Sequence, residues 1–206
     1  MTETSTTVMP DATGSHRDRL LAAMADALRE RGFRGTTVAD VVRHARVSRR
    51  TFYEHFEDLV ACYLALGDVL GDLVLAQIRA AASLDKPLEE RLDAATDAYL
   101  RSLTSEPELT RTYGYEMYLA GERGIERLHA VHEKAAQVLH DLVEEARERE
   151  PDLQALPVDT AIVIVAGIRE LATRVFDAPD PARRRREVQD VARGLLRAVL
   201  TAPADG

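Results

Sequence analysis

The sequence has few of the features that mark secreted, disulfide-stabilised or membrane proteins. Its single cysteine, Cys62, excludes an internal disulfide framework and suits a reducing compartment. The stretch Met1–Gly14 has neither a basic start nor an apolar core, so we expect no signal peptide. The most apolar run, Ala161–Ile168, is far shorter than the roughly 20 residues that a membrane span requires. We therefore expect a cytoplasmic protein with no membrane partner.

Signals of β-structure and of catalysis are also missing. No segment alternates convincingly with period two, whereas apolar residues recur at helical spacing, which predicts an all-α fold. There is no nucleophile elbow, phosphate-binding loop or zinc motif, so we predict no enzyme, no catalytic residue and no cofactor. Three histidines on one later helix suggest a metal, but His129 and His140 would lie about 16 Å apart along the axis. A pair formed by His129 and His132 is conceivable, yet we predict no metal site.

The net charge of −8 is unevenly distributed along the chain. The segment His16–Phe56 holds nine arginines against five acidic residues, a net of +4, whereas residues 57–206 carry −10. Phosphates attract a concentrated basic segment and repel an acidic one. The charge distribution therefore predicts nucleic-acid binding near the start of the chain.

That basic segment contains two predicted short helices joined by a tight turn. Thr37 with Asp40 three residues later forms a capping-box pattern, and Ser48 can cap the second helix. Apolar residues spaced i, i+3, i+4 and i+7 predict one buried face on the first helix (Val38, Val41, Val42 and Ala45). In the second helix, Phe52 and Phe56 lie four apart and are predicted to face inward.

The opposite face of the second helix carries Arg49, Arg50 and Tyr53. Two arginines and a tyrosine on one outward face can hydrogen-bond to base edges and to phosphates. The pattern therefore predicts a helix-turn-helix whose second helix contacts DNA.

The same run resembles the DNA-binding signature of the tetracycline-repressor (TetR) family of bacterial transcription factors. The resemblance is carried by residues 37–42, 45–48 and 51–56, and Thr51, Tyr53, His55 and Phe56 match in order and spacing. Two positions depart from it: Arg46 stands where the turn usually has glycine, and Leu59 where a lysine is common. A non-glycine residue in a left-handed turn costs on the order of 1 kcal/mol, which is tolerable. The outward face and the resemblance together predict the DNA-contacting residues Thr36, Thr37, Ser48, Arg49, Arg50, Thr51, Tyr53 and His55.

The remaining signals divide the chain into three parts. Residues 1–14, rich in Thr, Ser, Pro and Gly, are predicted to be a disordered tail. Residues 15–57 form a three-helix DNA-binding domain, with a first helix capped by Ser15 and ended by Gly32. Residues 58–202 form a larger helical ligand-binding and dimerisation domain that begins with a long helix. On that helix Gly67 and Gly71 indicate either a close helix contact or a hinge.

Tyrosines concentrate in the middle of the second predicted domain. A tyrosine offers a cavity both an apolar wall and a hydrogen-bonding tip, so the cluster predicts either an effector pocket or plain core. The predicted ligand-binding residues are Tyr99, Leu103, Tyr113, Met117, Tyr118 and His132.

Two strongly apolar helical segments close the chain, Val158–Phe176 and Val188–Leu200. Together they exceed what one subunit needs, so we predict a homodimer through these helices. TetR-like proteins are similar here, and the resemblance implies a repressor that binds a palindromic operator as a dimer and is released by a small molecule. The alternative is a helical protein-interaction module, or a regulator of the same fold that needs no ligand.

Overall fold

A computed structural model describes residues 14–82 and 86–201, and within this part every regular element is helical. A π-helical turn, Thr112–Glu116, and a 3-10 turn, Met117–Ala120, lie between α6 and α7. The all-α prediction is confirmed, and the tail prediction for residues 1–14 falls, apart from Gly14, outside the described residues. The helices are α1 (His16–Gly35), α2 (Val38–Ala45), α3 (Arg49–His55), α4 (Leu59–Ala81), α5 (Leu88–Ser105), α6 (Pro107–Arg111), α7 (Glu122–Arg147), α8 (Val158–Thr173) and α9 (Pro181–Leu200).

Side-chain caps start α1, as the sequence predicts, and also α4. In α1 the Ser15 hydroxyl accepts a hydrogen bond from the Asp18 amide (3.2 Å), and the Asp18 carboxylate accepts one from the Ser15 amide (3.2 Å). At α4 the Asp58 carboxylate accepts from the Ala61 amide (2.6 Å). Each cap satisfies amide donors that the first helical turn leaves without a partner.

The first helix is interrupted near its end, at the glycine predicted to stop it. Gly32 has φ 65° and ψ 178°, a conformation that side-chain-bearing residues rarely adopt, and helical structure resumes to Gly35. The ring of the next residue, Phe33, stacks on Tyr63 of α4 with centroids 4.1 Å apart. The break in α1 thus directs the Phe33 ring into the core, where it packs against α4.

The chain forms two compact units. The first runs through Leu73 and also includes Ser105–Leu128, whereas the second comprises Val74–Thr104 and continues from His129. The helix-turn-helix thus shares its compact unit with the segment around the π-helical turn. The predicted boundary between residues 57 and 58 stays a prediction.

Buried residues of α1 and α4 make the core of the first unit, which positions the helix-turn-helix. Polar contacts fasten Ser105–Leu128 to these helices: Arg29 forms a two-pronged ion pair with Glu106 (3.0 and 3.1 Å), and Arg123 pairs with Asp58 (2.8 Å). Core members include Leu20, Leu21, Met24, Leu28, Val41, Phe52, Cys62, Tyr63, Leu66, Leu109 and Met117.

The second unit packs helices α5, α8, α9 and the later part of α7 around its own cores. Arg91 of α5 is almost fully buried there and donates to the Glu145 carboxylate (2.9 Å). One core contains Leu88, Leu92, Ala136, Val143, Leu156, Ile164, Leu196 and Leu200.

Helix α4 has the length and apolar composition that could cross a membrane. The first half of the helix contributes buried residues to the core of the first unit, and Asp68 within it pairs with Arg127 (3.3 Å). A core helix of a soluble protein meets the same length and composition criteria, and we interpret α4 as one.

Candidate nucleic-acid interface

Helix α2 begins with the predicted capping box. The Thr37 hydroxyl donates to the Asp40 carboxylate (2.6 Å) and accepts from the Asp40 amide (3.3 Å). The hydrogen bond from Thr37 is the main reason that the pKa of Asp40 falls to about 2, with a further contribution from Arg43. The start of α2 is therefore fixed by an ionised carboxylate across the whole physiological pH range.

The turn after α2 contains the predicted left-handed residue. Arg46 has φ 53° and ψ 45°, and the Val47 amide donates to the Val42 carbonyl (3.1 Å), closing the end of the helix. A second contact was not predicted: the guanidinium of Arg19 in α1 donates to the carbonyls of Ala45 (2.6 Å) and Arg46 (3.3 Å). Arg19 thus links α1 directly to the turn that orients α3.

Helix α3 has the two faces that the sequence predicts. Ser48 caps it by accepting from the Thr51 amide (3.0 Å), and the Ser48 and Thr51 hydroxyls lie 2.9 Å apart. Phe52 is fully buried and Phe56 nearly so, with ring centroids 5.8 Å apart. This aromatic base holds the helix against α1 and α4 and leaves its other face to solvent.

The exposed face carries residues that the sequence predicts to contact DNA. Arg49 and Tyr53 are exposed, with Tyr53 retaining 56% of its accessible surface. The Arg50 side chain is 90% exposed and pairs with Glu54 one turn later (3.1 Å). An exposed pair of this kind is worth about 0.3–0.5 kcal/mol, so Arg50 can leave it at little cost.

The outermost predicted DNA contacts differ in accessibility. His55 is exposed at the end of α3, and its ring lies edge-to-face with His16 of α1, with centroids 6.3 Å apart. Thr36, in contrast, is buried, and its hydroxyl donates to the carbonyls of Gly32 (2.7 Å) and Ala27 (3.3 Å). In this structure Thr36 supports the junction between α1 and α2, and its predicted DNA contact stays a prediction.

Three of the predicted ligand-binding residues lie in the first unit. Tyr113 stacks on Tyr63 with centroids 4.7 Å apart and planes 3° apart, and its hydroxyl donates to the Tyr63 carbonyl (2.8 Å). Met117 is buried in the same core, whereas Tyr118 is 57% exposed. The bond to the Tyr63 carbonyl satisfies the Tyr113 hydroxyl within the protein. Burial also raises the pKa of Tyr113 well above its usual value.

The other three lie in the second unit. Tyr99 and Leu103 pack against a small core that includes Ala172 of α8. Burial raises the pKa of Tyr99 to about 12, while burial and the charge of Arg169 lower the pKa of His132. The His132 Nε2 is buried and has no hydrogen-bond partner in the described part of the chain. The positive charge of Arg169, a residue that the sequence did not point to, acts to lower the pKa of both Tyr99 and His132.

The remaining candidates for chemistry are possible metal ligands, His140 and the thiol of Cys62. Within residues 14–82 and 86–201, no three His, Cys, Asp or Glu side chains are arranged to hold a metal ion. His140 Nδ1 lies 2.7 Å from the Leu156 carbonyl, a structural contact. Burial raises the pKa of Cys62 to about 12, so its thiol is unreactive at neutral pH.

Comparison with known proteins agrees with this geometry. Residues 20–66 match the family model of bacterial regulatory proteins, tetR family. No curated protein sequence matches the chain. Among solved structures, the fatty acid degradation regulator FadR from Bacillus halodurans is similar at a TM-score of 0.75 and 19% identity, over 90% of this chain and 98% of that one.

Two further solved structures are similar over comparable lengths. A TetR-family transcriptional regulator from Pectobacterium atrosepticum has a TM-score of 0.72 and 21% identity, over 91% of this chain and 95% of that one. The regulator FadR from Bacillus subtilis, solved with stearoyl-CoA, has a TM-score of 0.71 and 15% identity, over 84% of this chain and 96% of that one.

Helices α1 to α3 and the outward face of α3 form a helix-turn-helix of the kind that binds DNA. Residues 20–66 carry the DNA-binding region of the tetR family of bacterial regulatory proteins, and the fold of the chain is similar to that of solved TetR-family regulators. Proteins of this family are DNA-binding regulators and not enzymes.

Proposed function

We propose that this protein is a cytoplasmic transcriptional repressor that binds a palindromic operator as a homodimer and is released by a small molecule. The observation that carries the proposal is the construction of α3. Its inner face is anchored by buried Phe52 and Phe56, and its outer face presents Arg49, Arg50 and Tyr53 to solvent. A short helix held in this way can enter the major groove as a rigid body.

Each exposed residue has a proposed role in the complex. Arg49 and Arg50 carry planar guanidinium groups on long, flexible side chains, which suit bidentate contacts with guanine. Tyr53 and His55 are proposed to contact phosphates, which positions the helix without reading sequence. The hydroxyls of Thr37, Ser48 and Thr51 lie at the starts of α2 and α3, where helix dipoles also favour phosphate. Thr36 would act from beneath, by holding the junction that precedes α2.

Exposed apolar residues on the last two helices support the dimer. Val163 of α8 is 72% exposed, and Val191 and Leu195 of α9, one turn apart, are 52% and 42% exposed. Burying apolar surface stabilises a protein by about 25 cal/mol per Å², and these side chains forgo that stabilisation while they stay in water. A second copy of the chain would cover them in a four-helix interface.

An effector is proposed to bind among the helices after residue 58. The support is the buried His132 Nε2, which has no hydrogen-bond partner in the described part of the chain, and the charge of Arg169, which acts on both His132 and Tyr99 in the second unit. The stearoyl-CoA bound to the Bacillus subtilis FadR structure supports a ligand-responsive role for this fold. An effector that prefers the non-binding arrangement would reduce operator affinity about 5–150-fold, the usual range for such coupling.

A gel shift with the DNA upstream of the protein's own gene tests the proposal. We expect a discrete complex that survives excess random DNA and is lost in the double variant Arg49→Ala, Arg50→Ala. A protein that acts only through protein partners would give no such complex. A complex that no small-molecule extract dissociates would favour the ligand-independent regulator.

A further inference from the structure

We propose that Arg19 is a positioning residue for the DNA-recognition helix, and that it offsets the cost of the left-handed Arg46 in the turn before that helix. The inference rests on two hydrogen bonds from one guanidinium group to consecutive backbone carbonyls, at Ala45 (2.6 Å) and Arg46 (3.3 Å). These carbonyls lie at the end of α2, immediately before the helix that faces DNA.

The end of α2 presents a specific problem to the backbone. The last carbonyls of a helix have no partner within it, and they carry the negative end of its dipole. Arg46 adds to this cost because it holds φ 53° with a side chain present. Glycine would adopt that conformation with no steric penalty.

The Arg19 guanidinium offsets both costs, that of the unpartnered carbonyls at the end of α2 and that of the left-handed Arg46. It supplies donors to two carbonyls of the turn, and it places a positive charge at the negative end of α2. Its own position is set by the first turn of α1, where the Arg19 amide donates to the Ser15 carbonyl (2.9 Å). The cap on α1 and the turn before α3 are thus mechanically connected through one side chain.

Hydrogen exchange at Val47 measures this connection without DNA, because the Val47 amide is bonded to the Val42 carbonyl across the turn (3.1 Å). In the full-length Arg19→Ala variant we expect exchange at Val47 to be about 10-fold faster or more, as expected for loss of a charge-assisted hydrogen bond. Adding Arg46→Gly should restore about fivefold of that protection, because the left-handed strain is removed.

The same variants distinguish two possible roles of Arg19, because each role predicts a different effect on DNA binding. The probe is a fluorescein-labelled duplex of the DNA sequence that the wild-type protein selects from a random library. If Arg19 positions the turn, Arg19→Ala weakens binding about 3–10-fold through a less populated competent turn, and adding Arg46→Gly restores it. If Arg19 contacts phosphate instead, adding Arg46→Gly removes a second charge and cannot restore binding. In that case Arg19→Ala also reduces the salt slope by about one.

Arg34→Ala serves as the matched control, since it removes one exposed positive charge from the opposite end of α1. It should leave exchange at Val47 within about twofold of wild type. If Arg19→Ala gives no cooperative melting transition, Arg19→Gln carries the test, because it removes the positive charge and shortens the side chain while keeping its apolar stem. The proposal is overturned if Val47 exchange is unchanged in the variant, or if Arg46→Gly fails to restore protection and binding.

Discussion

The two central glycines of α4, Gly67 and Gly71, look equivalent in the sequence but have different surroundings in the structure. A Cβ placed at Gly67 would lie 2.8 Å from Cε1 of Tyr113, whereas one placed at Gly71 would meet no other heavy atom within 4 Å among the described residues. Carbon atoms pack best at about 3.5–4.0 Å, so Gly67→Ala forces a shift of about 1 Å. Tyr113 resists that shift because its ring stacks on Tyr63 and its hydroxyl is bonded to the Tyr63 carbonyl (2.8 Å).

These contacts give the two substitutions opposite signs. Gly→Ala inside a helix stabilises by about 0.5–1 kcal/mol, and Gly71→Ala should show that gain in full. At Gly67 the same gain is opposed by an overpacking cost of about 1–3 kcal/mol. We therefore expect Gly67→Ala to lower the free energy of unfolding by up to about 2 kcal/mol.

Urea unfolding of both variants, followed by far-UV circular dichroism, measures the difference directly. The second arm combines Gly67→Ala with Tyr113→Leu, which removes the ring, so the alanine should recover most of the helical gain of about 0.5–1 kcal/mol. Equal stabilisation by Gly67→Ala and Gly71→Ala would refute the close contact. It would also favour the interpretation of Gly67 as a hinge.

Three further predictions follow from exposure and burial. Arg49→Ala or Arg50→Ala should cost about 1–3 kcal/mol on the operator and little on random DNA, whereas Tyr53→Phe should weaken both nearly equally in fluorescence-anisotropy titrations. Leu195→Glu should convert a wild-type dimer at micromolar concentration into monomers by sedimentation, and a wild-type monomer would contradict the interface. Met117→Trp should abolish the effector response with operator binding retained if Met117 lines a pocket. A drop of about 1–3 kcal/mol in stability, with no effector response to lose, would assign Met117 to the core.

Local features of the structure were predictable because their causes are local. The capping pairs Ser15 with Asp18 and Thr37 with Asp40 span three residues, and Ser48 caps α3 over the same distance. The inward faces of the short helices also follow from residue spacing alone. The sequence therefore predicts the helix-turn-helix and its exposed side chains well.

Contacts between distant segments were not predictable in the same way. Glu116 of the π-helical turn accepts hydrogen bonds from the amides of Phe33 (2.5 Å) and Arg34 (3.3 Å), which the break at Gly32 releases from α1. Arg19 reaches a turn 26 residues away. Arginine and glutamate are common on exposed helix faces, so their identity alone does not indicate a partner.

The aromatic segment illustrates a third limit. Tyrosines at positions 113 and 118 look equivalent in the sequence, but Tyr113 is held by the core and Tyr118 is 57% exposed. The chain reaches this arrangement through a π-helical turn, which changes the spacing by which side chains share a face. A pattern based on regular helix geometry cannot assign sides across such a turn.

Selection of DNA from a random duplex library by the full-length protein tests the central claim most directly. We expect a palindrome whose half-site centres lie about 10 base pairs apart or a multiple of that spacing, bound by a dimer. The double variant Arg49→Ala, Arg50→Ala should lose this enrichment while keeping weak, salt-sensitive binding to any DNA. Enrichment of no sequence by the wild-type protein, or of the same palindrome by the double variant, would contradict the account.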